Sequence, residues 1–177
     1  ASALGNLGVS DGIARTQSLG LNFRDNWGSK VSVYGSYSFS NRGTNTIREI
    51  NQQNSFQNQT NTNTRFSNQY EVNENHRFSF NIEYKIDSFN YVKINPGITY
   101  RRTNADYYTI NNVFGKTGNK LTDGYIDEFA QYDQPSYSGN ILFNHRFRKK
   151  GRTLSLNLSA GLSSNDGTDD LVNANTY

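Results

Sequence analysis

The chain contains no cysteine and no methionine, only two prolines and one tryptophan. The lack of cysteine removes a disulfide framework, a thiol nucleophile and any Cys-ligated metal centre. No stretch approaches the ~18 consecutive apolar residues of a membrane helix, and no basic–apolar–small pattern opens the chain. Neither a transmembrane helix nor a retained signal peptide is expected. With alanine at position 1, the chain is expected to be an excised segment or a processed product. Apolar residues are scarce at 33%, yet aromatics reach 14%, with 12 Tyr and 11 Phe, which speaks against disorder. There are 26 Asn among the 177 residues, and the net charge is only +3. This is one domain's worth of polar, aromatic chain.

Helical periodicity is hard to find, whereas period-2 alternation recurs along the whole length. Leu19, Leu21 and Phe23 alternate with polar residues and glycine; so do Val31, Val33, Tyr37 and Phe39. Phe78, Phe80, Ile82, Tyr84 and Ile86 follow, then Val92, Ile94, Ile98 and Tyr100. The last two runs hold Ile141, Phe143 and Phe147, and Leu154, Leu156, Leu158 and Leu162. Leu142, Pro96 and His145 interrupt an otherwise regular pattern. The opposite parity carries Arg24, Lys30, Arg77, Glu83, Lys85, Lys93, Arg101, Arg146 and Arg148 among Ser and Asn. An all-β, antiparallel up-and-down meander of about six long strands is predicted.

Short, turn-forming connections near 25–29, 87–90 and 149–152 alternate with long polar gaps at 41–73 and 104–135. Every tight turn should therefore lie at one end of the sheet. Parity continues through Phe66, Tyr70 and Val72, so the first gap is expected to be a tall hairpin with its tip near 57–60. The second gap, with Gly115, Gly118 and Gly124, reads as a loop. The tail 171–177 does not alternate, so Tyr177 is not expected to be the natural end of a last barrel strand.

One greasy and one polar parity also describes a solvated sheet on a protein core, so alternation alone does not identify the solvent. Four further features favour lipid. Apolar runs of roughly 9–11 residues match a tilted strand crossing a bilayer. They fade on the side away from the short turns, while strand parity goes on. Short turns at one end and long excursions at the other follow the layout of outer-membrane barrels. Trp27, Phe89 and Phe147 near the turns, with Tyr37, Phe39 and Tyr100 at the far boundary, resemble two interfacial girdles. The sequence also offers no helix to cover the apolar parity. The alternative is a soluble, secreted β-sandwich or small-barrel binding module with 104–135 as its contact surface. Six strands fall short of the roughly eight of the smallest single-chain membrane barrels, so a segment of a larger transmembrane barrel is expected, spanning 1–177.

The runs Gly12-Ile13-Ala14-Arg15-Thr16 and Leu19–Lys30 resemble the early barrel of TonB-dependent-receptor-like outer-membrane proteins of Bacteroidota. So do Asn75-His76-Arg77-Phe78, Glu83–Ser88 and Ile94–Tyr100. The resemblance implies a barrel of about two dozen strands with a plug, short turns toward the periplasm and a nutrient-uptake or surface-binding role in the outer membrane. The implied partners are outer-membrane lipid and the remaining strands and plug; the solute is not indicated. The resemblance also accommodates Pro96, which a central strand should reject, and a bulge or unpaired amide partner is expected there.

Enzymatic chemistry is not expected. His76 and His145 share the apolar parity on different strands, no Gly-x-Ser-x-Gly elbow occurs, and Gly115–Gly118 lacks Walker spacing. Carboxylates cluster at Asp123, Asp127 and Glu128 and again at Asp166, Asp169 and Asp170. The second run is oxygen-rich but lacks EF-hand spacing and a closing Glu, and reads as solvated loop, with a weak divalent-cation site as the alternative. No cofactor is expected. Basic residues interleaved with Ser and Asn do not form a nucleic-acid stripe. They could instead create a positive field along the lumen. Tyr107, Tyr108, Phe114, Tyr125, Phe129 and Tyr132 are candidate ligand or carbohydrate contacts, or simply loop packing.

Overall fold

The computed structural model describes residues 12–56 and 59–176. They form one antiparallel sheet of β1 (Gly12–Trp27), β2 (Val31–Phe56), β3 (Gln59–Lys85), β4 (Asn90–Phe114), β5 (Lys120–Arg146), β6 (Thr153–Ser163) and β7 (Asp166–Thr176). Neighbours follow chain order from β1 to β6, and β7 pairs with β5. Among the described residues β1 pairs only with β2, and β6 and β7 only with β5, so the described sheet is open at both edges. A single unclosed sheet is neither the two-layer sandwich nor the small closed barrel of the soluble alternative.

β2 to β5 are 25–27 residues long. At ~3.3 Å per residue each runs about 85 Å, far beyond the ~30 Å of a hydrocarbon layer. The tall hairpin expected for the first gap is present, and its tip at 57–58 lies outside the described residues. The second gap departs from expectation. Almost all of 104–135 is strand, and only Gly115–Asn119 turns. Gly118 closes that turn at φ +80°, its N–H donating to the Gly115 carbonyl at 2.9 Å. The ladder shifts register between Val113 and Phe114, a bulge next to the tip. Gly124, read as a loop residue, is in β5 opposite Asn111. Hydrophobic alternation could not reveal these strands because both of their faces are polar, while backbone pairing needs no apolar side chain.

The expected six strands become seven, because 166–176 is strand; the expectation about Tyr177 lies outside the described residues. β6 and β7 keep one register with β5. Ser163 faces Ser136 and Asp166 faces Asp133, with two residues on each side between them. They are one rail interrupted opposite Pro135, so the seven elements occupy six lanes. Ser164 N–H still donates to the Pro135 carbonyl at 3.1 Å, but proline has no N–H to return. Pro96 acts similarly. Pairing of β3 with β4 lapses between Ser79↔Gly97 and Ile82↔Ile94 without a change of register, while Pro96 still faces Gly139 on β5. The expected unpaired partner is present; the bulge is not.

There is almost no interior. Among the described residues only Val33, Ala105 and Ala130 are buried apolar side chains.

Candidate functional site

Directly opposed residues in an antiparallel ladder share a face, so the register reads out what each face carries. Nearest the short turns, one row runs Trp27–Val31–Tyr84–Val92–Phe143–Leu156. The next is Asp25–Val33–Ile82–Ile94–Ile141–Leu158. Four residues further along each strand come Leu21–Tyr37–Phe78–Ile98–Tyr137–Leu162. Between these lies a row with small residues, Phe23, Gly35, Phe80, Pro96, Gly139 and Ala160. A Cβ on Gly35 would come within 2.9 Å of the Phe80 ring and 2.6 Å of the Ser79 carbonyl, so the absent side chain is what admits Phe80 beside β2. The sheet thus gathers the apolar residues of six lanes into one band.

The band ends abruptly. Leu19, Phe39, His76 and Tyr100 form its last row. Tyr37 Oη lies 2.9 Å from His76 Nδ1, and the Phe39 and His76 rings are 4.9 Å apart. On the same face the next row is Gln17–Asn41–Glu74–Arg102–Asp133–Asp166. Arg102 grips Asp133 with two N–H donors at 2.7 and 3.0 Å, and Tyr100 Oη donates to the same carboxylate at 2.6 Å. The Arg102 hydrogen bond, then that from Tyr100, holds the Asp133 carboxyl down to about 2. From Val92 to Tyr100 the band spans eight residue steps, about 26 Å along the strand.

The other face of the same strands is polar. Asn22–Ser36–Ser79 and Ser38–Arg77–Thr99–Ser136 are typical rows. Asn81 and Asn95, and Asn140 and Asn157, pair their amides across strands. Tyr34 Oη donates to Glu83 at 2.9 Å, Lys93 Nζ lies 3.6 Å from the same carboxylate, and Arg24 sits 5.7 Å from the Tyr34 ring centre. Arg24, Arg77, Glu83, Lys85, Lys93, Arg101 and Arg146 all lie on this parity. Leu142 is an apolar intrusion on this parity, between Lys93 and Asn157.

Strand ends refine the expected positions. Ile86 follows the end of β3, and Phe147 and Arg148 follow the end of β5, so these three belong to turns. His145, on the apolar face, meets Asn90 through Nδ1 at 2.7 Å, and the Phe147 ring stands edge-on to it at 4.5 Å. The two histidines lie at opposite ends of the band and form no common site.

Beyond the band, strand alternation divides what the sequence set side by side. Tyr108, Tyr125 and Phe129 take one face, and Tyr107 and Tyr132 the other. Burial, then the Glu71 and Glu128 carboxylates, pushes the Tyr107 hydroxyl up. Asp166 and Asp170 are likewise separated from Asp169. Among the described residues no group of three or more His, Asp or Glu is placed to hold a metal ion. The polar rows near Asn73, Thr103 and Tyr132 escaped sequence reasoning because they carry no hydrophobic period.

No protein-family model matches the chain, and no curated protein matches it. Solved structures similar to it are remote. The membrane pore complex of pneumolysin aligns at 7% identity and TM-score 0.17, over 90% of this chain and 31% of that one. OmpT, an outer-membrane protein of Vibrio cholerae, aligns at 8% and 0.18, over 86% and 64%. OccAB4 of Acinetobacter baumannii aligns at 9% and 0.19, over 90% and 53%. The chain spans about a third of the first and a half to two-thirds of the others. Likeness at these scores carries no argument about fold or function.

Proposed function

We propose that this chain is the membrane-spanning wall of an outer-membrane β-barrel. The supporting observation is the band: six lanes align their apolar residues on one face over about 26 Å, and no second layer among the described residues covers them. A hydrocarbon slab solvates such a band, and the Arg102–Asp133 row marks where water begins again. The opposite face, rich in Ser, Asn and Arg, then lines a wet interior. Two open edges in lipid would each leave unpaired backbone groups costing several kcal/mol, so further strands must close the barrel. The resemblance of 12–30 and 75–100 to TonB-dependent receptors supports a finer reading as part of a nutrient-uptake or surface-binding barrel of that type in Bacteroidota. In this reading the chain is a scaffold without catalytic chemistry, and its partners are lipid, the missing strands and a plug.

The chain's lack of native cysteine makes the test direct. Single cysteines at Ile82 or Leu156, and at Ser79 or Asn157, are introduced and the protein is folded into vesicles. A water-soluble maleimide should modify the second pair and spare the first. Equal modification of both pairs overturns the proposal.

A further inference from the structure

The three short turns differ in charge. The β1–β2 turn carries Lys30 near Asp25, and the β3–β4 turn carries Asp87. The β5–β6 connection and its flanks hold Arg146, Arg148, Lys149, Lys150 and Arg152, five cations in seven residues with no acid. The turn is tight: Phe147 N–H donates to the Arg152 carbonyl and Arg152 N–H to the Lys149 carbonyl, with Gly151 at φ +82°. None of the salt bridges among the described residues uses any of these cations. The neighbouring Asp87 forms no salt bridge with them. Its carboxylate accepts from the Phe89 and Asn90 backbone N–H groups at 2.7 and 2.8 Å and from the Asn90 amide.

This charge adjoins grease without a gap. Arg146 N–H donates to the Phe89 carbonyl at 2.8 Å, joining the two turns side by side. Between them lies an open groove lined by Phe89, Asn90, His145, Phe147, Arg148 and Arg152. On the same face as His145, the next residues along β6 are Leu154, Leu156 and Leu158, with side chains 43%, 53% and 69% exposed. A cationic rim above an apolar strip is complementary to an amphiphile with an anionic head. A soluble anion would leave the leucines uncovered, and an acidic protein would have to supply a matching apolar face.

We propose that the groove at the β5–β6 turn binds the phosphate of an anionic glycerophospholipid, whose acyl chain lies along Leu154, Phe143 and Leu156. This rests on the membrane-wall reading and adds a lipid preference to it. The head is held by Arg148, Lys149 and Arg152, and Phe89 and Phe147 sit at the level of the glycerol. Each cation at an anionic surface is worth about 1 kcal/mol, about fivefold in affinity.

The test replaces Trp27 with Phe and introduces Leu156→Trp, so that the only indole sits beside the acyl strip. The protein is folded into equimolar phosphatidylglycerol and phosphatidylcholine vesicles with bromine on the acyl chains of one lipid or the other. Brominated phosphatidylglycerol should quench the indole more strongly. The triple change Arg148→Gln, Lys149→Gln, Arg152→Gln should erase the difference, and Arg148→Lys with Arg152→Lys should keep it. Equal quenching by the two lipids overturns the lipid site and leaves the membrane wall standing. No quenching by either overturns both.

Discussion

The lower and upper halves of β3 and β4 are one ladder in two environments. From Tyr84 to His76 one face is apolar; from Glu74 to Thr62, in unbroken pairing with β4, the same face is mixed, carrying Glu74, Val72, Tyr70, Asn68, Phe66 and Thr64. Backbone pairing runs in one register through both halves, lapsing only beside Pro96 in the lower one. The change lies in the side chains, and it falls at one level on every central strand, between His76 and Glu74, Tyr100 and Arg102, and Pro135 and Asp133.

That contrast is most strongly probed by charge. Leu156→Arg and Ile82→Arg should each destabilise the protein by about 2–4 kcal/mol in lipid-vesicle unfolding, while Asn157→Arg on the opposite face stays mild. Equal cost on both faces would erase the distinction between them. Next in size is Gly35→Val. Its side chain would collide with Phe80 and the Ser79 carbonyl and should cost about 1–3 kcal/mol in the same assay. Gly139→Val, which meets no neighbour within 4 Å, should be tolerated better. In the upper half, Tyr125→Ser removes a pairing with Tyr108, whose ring lies 6.4 Å away, and should cost under about 1 kcal/mol. A cost as large as that of Leu156→Arg would make the upper half a second apolar band.

The smallest effect is acid-dependent. Asp133 is depressed to about 2 from the ordinary ~3.9 of an aspartate, so its pairing stabilises the fold fully above about pH 4. The contribution fades as pH falls through about 2. Carboxyl NMR titration should show a low midpoint at Asp133, and Arg102→Gln should return it toward the ordinary value.

The band was legible because apolar side chains at period two leave a trace in sequence, and its turns were legible from Asp, Asn and Gly. The upper strands were not. Tyr107, Thr109 and Asn111 on one face and Tyr108, Ile110 and Asn112 on the other differ too little in hydropathy to show alternation, so 104–135 read as a loop. β7 failed for the same reason: Asp169, Leu171 and Asn173 share one face. Pro96 was flagged and its lost pairing found. Pro135 was not, because a proline in an apparent loop has nothing to interrupt. The row Glu74–Arg102–Asp133 depends on register between segments about 30 residues apart, which only the paired strands supply.

Pro135 leaves the outermost lane fastened to β5 by two separate seams. Above it, the 166–176 piece is held by one neighbour and can fray in water without loosening the 153–163 piece below. The two seams can therefore open and close independently, so local unfolding along one length of this edge need not spread to the other.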